Sequence, residues 1–179
     1  MKSKQAPKNN LLIWVVVILI LTTAGYFVFN YFLKLASIPE IGESYPIEGA
    51  SHVADGTKVE YHTNPPSSGA HYAKEADWGV YETELPDGRL VHSLEHGGVW
   101  ISYKLSIPSA AKEKLRAIAK GYRSKVILAP RAANDKDIAV VSWGRVYKFD
   151  LNADGGFDES AVIDYITKYK NTGPERIPD

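Results

Sequence analysis

Five histidines, His52, His62, His71, His92 and His96, fall between residues 52 and 96 of a 179-residue chain, and no other stretch contains one. Imidazole and carboxylate are the common protein ligands for zinc, copper, iron and nickel, so the confinement of the histidines to one segment points to a transition-metal site. The densest part is Val91-His92-Ser93-Leu94-Glu95-His96-Gly97-Gly98. Its His92-x-x-Glu95-His96 spacing matches an inverted zincin motif, in which two histidines one helical turn apart hold zinc and the glutamate activates a bound water. That mechanism needs a helix of several turns. Gly97-Gly98 follows at once and the flanks read as strands, so one turn of helix at most is expected here. The expected metal ligands are His92 and His96 together with His62 or His71. Glu95 serves as a further ligand, as an orienting partner of an imidazole, or as a general base. His52 lies ahead of the first expected strand and is expected to be dispensable.

The composition narrows the chemistry. The chain has no cysteine and its one methionine is Met1, which excludes disulfides, iron–sulfur clusters, a cysteine nucleophile and a methionine-rich copper(I) site. A metal bound by nitrogen and oxygen donors is what remains, with zinc or copper as the expected ion. Residues 37–99 carry three basic against eleven acidic side chains, and residues 100–179 carry fourteen against ten. The histidine-bearing half is thus acidic and suits cations. With no phosphate loop and no basic stripe interleaved with aromatics, neither nucleotide nor nucleic acid is an expected partner.

Other motifs carry less. Asp150-x-Asn152-x-Asp154-Gly155-Gly156-Phe157-Asp158 follows the first nine positions of a calcium loop, but the twelfth, which should be a bidentate glutamate, is Ala161. An Asn/Asp/Gly turn feeding a helix capped by Asp158 is expected instead. Ser67, Ser68 and Ser93 have no G-x-S-x-G elbow around them, so none is expected to act as a nucleophile.

The elements that must position these residues follow from periodicity. Lys58 to Thr63 alternates polar and apolar residues and reads as a strand, ended by the stiff loop Asn64-Pro65-Pro66-Ser67-Ser68-Gly69-Ala70 between His62 and His71. Trp78 to Tyr81 is a short strand, Pro86-Asp87-Gly88 a turn, and Leu90-Val91-His92 a strand. Gly98 to Leu105, Lys125 to Ala129, Ile138 to Trp143 and Arg145 to Asp150 are further strands, with Gly144 in a bulge or tight turn. A helix capped by Ser109 buries Ala111, Leu115, Ile118, Ala119 and Tyr122. A last one buries Val162, Ile163, Ile166 and Tyr169. The fold class is α+β, a single domain with a mixed sheet and two helices behind one transmembrane helix.

Leu11 to Leu33 contains no charged residue and is long enough to cross roughly 30 Å of hydrocarbon. Lys2, Lys4 and Lys8 precede it, and Glu40, Glu43 and Glu48 follow. The N-terminus is therefore expected in the cytoplasm and the remainder outside the plasma membrane. The resulting division is a basic N-terminus at 1–10, a signal anchor at 11–35, a stalk at 36–50 and an exterior domain at 51–179. Cleavage near Thr22-Thr23-Ala24 is the alternative, but the apolar run continues past it, and a cut after Ala36 would require Lys34 where a small residue is preferred.

Three stretches, Tyr61-His62-Thr63-Asn64-Pro65-Pro66-Ser67-Ser68-Gly69-Ala70-His71-Tyr72, Val91 to Gly98, and Val126-Ile127-Leu128-Ala129-Pro130 with Ser142-Trp143-Gly144, give a further lead. In these the chain resembles the family known as domain of unknown function 3105, from about His52 to Glu175. The resemblance implies a single-pass protein with an exterior domain, groups His71, His92, Glu95 and His96, and implies no reaction. Three functions are consistent with these observations. One is a metal-binding exterior domain, a second is a metal-dependent hydrolase with Glu95 as base, and a third is a module in which the proline loop and the acidic face dock a membrane-protein partner.

Overall fold

Residues 10–175, 177 and 178 are described by a computed structural model. Lys2, Lys4 and Lys8 lie outside these residues. The chain forms two compact units, residues 1–39 and 40–179. The described part of the first is the helix α1 (Leu11–Ser37), none of whose residues is buried in the protein. It is long and apolar enough to span a membrane. Two of its polar side chains bond back to the helix: Thr22 Oγ1 donates to Ile18 O and Asn30 Nδ2 to Tyr26 O.

The second unit contains, in order, β1 (Glu43–Ser44), β2 (His52–Val53), β3 (His71–Tyr72), β4 (Gly79–Val80), α2 (Asp87–Glu95), β5 (Val99–Tyr103), α3 (Ser109–Lys120), β6 (Val126–Pro130), β7 (Ile138–Ser142), β8 (Arg145–Phe149) and α4 (Glu159–Tyr169). Six strands form one sheet in the order β1-β8-β7-β5-β6-β4, and β2 pairs with β3 in a second, small one. The large sheet is mixed: β5, β6 and β4 are parallel, while β7, β8 and β1 join antiparallel. The expected α+β domain with a mixed sheet is what the chain forms.

Every residue of β5, β6 and β7 is buried because helices cover both faces of the sheet. Side chains alternate along a strand, so Val99, Ile101 and Tyr103 face Leu115 of α3 and Val162 and Ile166 of α4. Trp100, Ile127 and Val141 face the other way, onto Leu90 and Leu94 of α2. Burying a side chain of this size stabilises the fold by about 1.5–3 kcal/mol, which seats α2 firmly on the sheet.

Several elements differ from expectation. Leu90-Val91-His92 is helical, making α2 a third helix of the domain, nine residues long. Its apolar residues Leu90, Val91 and Leu94 have helical spacing, and Arg131 holds its first residue by a bidentate pair to the Asp87 carboxylate, with both N–O distances 2.9 Å. Lys58–Thr63 is not a strand. It has no ladder partner, and side chains hold it instead, with Tyr61 Oη donating to Ala70 O and the His62 amide to the Glu48 carboxylate. In α4 the buried stripe takes Tyr165 in place of Ile163, because the Tyr165 hydroxyl meets Ser142 and the Arg145 carbonyl inside the core. Pro108, and not Ser109, occupies the N-cap of α3. Asp158 caps α4 by accepting from the Ala161 amide.

Residues read as a stalk also join the sheet: β1 pairs with β8, and the Tyr45 amide donates to Gly144 O. The Asp150 carboxylate accepts from Lys136 Nζ and the Asp137 amide, and the turn after it closes through the Asn152 and Gly155 amides.

Candidate metal centre

A short parallel pairing builds the site. The loop 63–70 turns back into the domain with Thr63, Pro65, Pro66, Ser67, Ser68 and Gly69 all buried. Its polar groups are accounted for: the Ser67 amide donates to Thr63 Oγ1, Ser68 Oγ accepts from the Glu48 amide, and the Gly144 amide donates to Ser67 O. The loop delivers the chain to β3, where His71 pairs with His52 of β2 and the two imidazoles come to lie side by side.

From the other side, α2 presents its C-terminal turn. Ser93 is buried and locks that turn, its hydroxyl donating to Ala76 O while accepting from the Ala76 amide. His92 and Glu95, three positions apart on this helix, then face His52 and His71. The rings of His52, His71 and His92 form a triangle with centroid separations of 5.0, 4.8 and 4.8 Å. One donor atom from each of His52, His71, His92 and Glu95 lies within 4.8 Å of all the others. The site is half open. His71, His92 and Glu95 are buried, whereas the His52 side chain is 50% exposed and forms its lip.

Two of the imidazoles have a fixed tautomer. His71 Nδ1 lies 2.8 Å from Gly69 O, and His92 Nδ1 2.7 Å from Tyr72 O. A carbonyl can only accept, so both Nδ1 atoms carry the proton and both Nε2 atoms point into the cluster. His71 Nε2 lies 3.0 Å from Glu95 Oε2. Despite that approach, neither atom has a hydrogen-bond partner among the described residues, and both are buried. Burial holds the His92 imidazole below its usual pKa, the charges of His96, His71 and His52 push the same way, and only the bond to Tyr72 O opposes them. Burial therefore favours the neutral imidazole, the form that binds metal.

The structure brings together His71, His92 and Glu95 of the expected ligands and adds His52. His96 stands beside the group, its Nε2 3.1 Å from His92 Nε2. His62 is placed elsewhere, its ring 88% exposed and bonded to Glu48. The pattern that misplaced His62 was the alternation of Lys58–Thr63. No spacing signal marks His52, since a two-residue backbone pairing brings it in.

Residues 52–178 match the family described as Protein of unknown function (DUF3105). The chain belongs to that family. No curated relative and no solved structure matches the chain. The stretch matched in this DUF3105 member begins at His52 and takes in the whole cluster, with His71, His92, Glu95 and His96. The family description attaches no chemistry to these residues, so any function must come from the geometry.

Proposed function

We propose that this protein is a membrane-anchored exterior domain that binds a divalent transition metal, zinc or copper, through His52, His71, His92 and Glu95. The observation that carries the proposal is the pair His71 Nε2 and Glu95 Oε2, 3.0 Å apart, buried and without hydrogen-bond partners. A buried polar atom left unpaired costs about 1–3 kcal/mol, and more when charged. Here two such atoms face each other and a third lone pair, on His92 Nε2. A cation bound among them satisfies all three at once.

The donor set fits. Three neutral imidazoles and a carboxylate without sulfur suit zinc or copper(II). The bonds from His71 and His92 to backbone carbonyls are the outer interactions that orient metal-binding imidazoles. In this reading Glu95 serves as a donor. The proline loop is turned inward to carry His71, which leaves Pro65 and Pro66 buried and unavailable for docking a partner. The apolar helix α1 anchors the domain, with its acidic half outside the membrane.

Metal analysis of the purified full-length protein tests this. About one zinc or copper per chain is expected, lost in His71→Ala and in His92→Ala while both variants retain their far-ultraviolet circular dichroism. A parent protein that stays metal-free after incubation with either ion assigns the cluster to structure alone.

A further inference from the structure

Beside the donor group, His96 and a residue from the far end of the domain make an arrangement that metal ligation alone leaves unexplained. After α4, residues 171–175 run back over the end of α2. The Asn171 amide donates to Gly97 O, the Glu175 amide to Glu95 O, and Lys125 Nζ to Ile177 O. Two glycines permit this seat. Gly97 has φ +81°, and a Cβ there would approach Asn171 Cα to 2.9 Å. A Cβ on Gly173 would lie 2.2 Å from Glu95 O, so no other residue fits that position without lifting the segment.

Seated in this way, the segment brings Glu175 Oε2 to 3.1 Å from His96 Nε2. The same nitrogen is 3.1 Å from His92 Nε2. The His92 proton sits on Nδ1, facing Tyr72 O, so the proton in the contact between the two rings belongs to His96. His96 thus has one N–H with two acceptors, the His92 lone pair and the Glu175 carboxylate. Its Nδ1 is buried with no partner among the described residues, so the ring has no second anchor to hold it in place.

A metal ion on His92 takes up that lone pair and removes one of the two acceptors. We propose that Glu175 is a positioning residue of the centre. When the metal occupies His92, Glu175 receives the His96 N–H, and the segment carrying it tightens on α2. The inference rests on the metal reading above and assigns His96 a place outside the ligand set. Without Glu175 the displaced N–H would face the cation unpaired.

Zinc competition titrations against a chromophoric chelator, on the full-length protein in detergent, test this through a double-mutant cycle. Glu175→Ala should bind zinc roughly ten- to a hundredfold more weakly, the usual effect of losing an outer partner, and Glu175→Gln, whose amide oxygen still accepts an N–H, should lose less. His96→Ala removes the competing N–H and should bind at least as tightly as the parent. In the His96→Ala background, Glu175→Ala should have no further effect. Zinc should also slow hydrogen exchange at the Asn171 and Glu175 amides in the parent but not in Glu175→Ala.

A Glu175→Ala protein that binds like the parent overturns the inference and leaves the metal reading standing. So does an undiminished Glu175 effect without His96, or a His96→Ala protein that loses zinc as a ligand deletion would. A parent that takes up no zinc or copper overturns both.

Discussion

An imidazole that donates one N–H to a buried carbonyl cannot turn its other nitrogen away without losing that bond, so His71 and His92 keep their lone pairs turned into the cluster. His52 is different, half exposed and carried by a two-residue strand. Its contribution is expected to be smaller than theirs but real. His52→Ala should weaken zinc binding roughly tenfold or more, and His62→Ala should leave it unchanged, both measured by competition titration. This reverses the sequence expectation, which retained His62 and dismissed His52. The difference shows what was legible at this scale. His92, Glu95 and His96 announce themselves because their spacing is local. His71 does so through the rigid loop before it. His52 and Glu175 arrive through pairings across 19 and 80 positions, and side-chain type alone carries no mark of such contacts.

At the scale of elements, the four long strands were legible, whereas the two-residue strands β1, β2 and β3 and the short helix were not. Val99–Tyr103, Val126–Pro130, Ile138–Ser142 and Arg145–Phe149 occupy the runs rich in Val, Ile and aromatics that suggested them. The helix Asp87–Glu95 contains Gly88 and ends at Gly97-Gly98, and nine residues are too few for propensity to outweigh those glycines. Tertiary contacts decide the matter: Leu90 and Leu94 against Trp100, and Asp87 against Arg131. Tyr165 is the corresponding lesson in α4, since a phenol is a poor guess for a core position until its hydroxyl has partners. It accepts from the Ser142 amide and donates to Arg145 O, 3.1 and 2.9 Å away. Tyr165→Phe keeps the ring and strands both groups, so it should lower unfolding free energy by about 1–3 kcal/mol. Urea denaturation should show a lower midpoint at unchanged slope, and a midpoint equal to the parent's would mean that water replaces the hydroxyl.

At the scale of the whole molecule, the long apolar helix is the feature most legible in sequence, because absence of charge over Leu11 to Leu33 is a one-dimensional property that needs no partner. Its direction rests on the asymmetry of flanking charge. Lys2, Lys4 and Lys8 stand before it, and after it only Lys34 precedes a run containing Glu40, Glu43 and Glu48. Basic residues near a span are retained on the cytoplasmic side, while acidic ones hinder translocation little, so the domain should face outward. The fold adds a reason why its direction matters. On the proposed metal reading, a half-open site with an exposed His52 lip would take metal from whatever compartment it faces, and its donor set lacks the sulfur that competes for copper(I) in a reducing interior. A phosphatase reporter that matures only outside the cytoplasm, fused after Asp179, should be active. Replacing Lys2, Lys4 and Lys8 with glutamate, while adding lysines at Glu40 and Glu43, should reduce that activity and raise that of a cytoplasmic reporter at the same position. Cytoplasmic activity in the parent fusion would place the cluster inside the cell and require a site that competes with intracellular thiols for its metal.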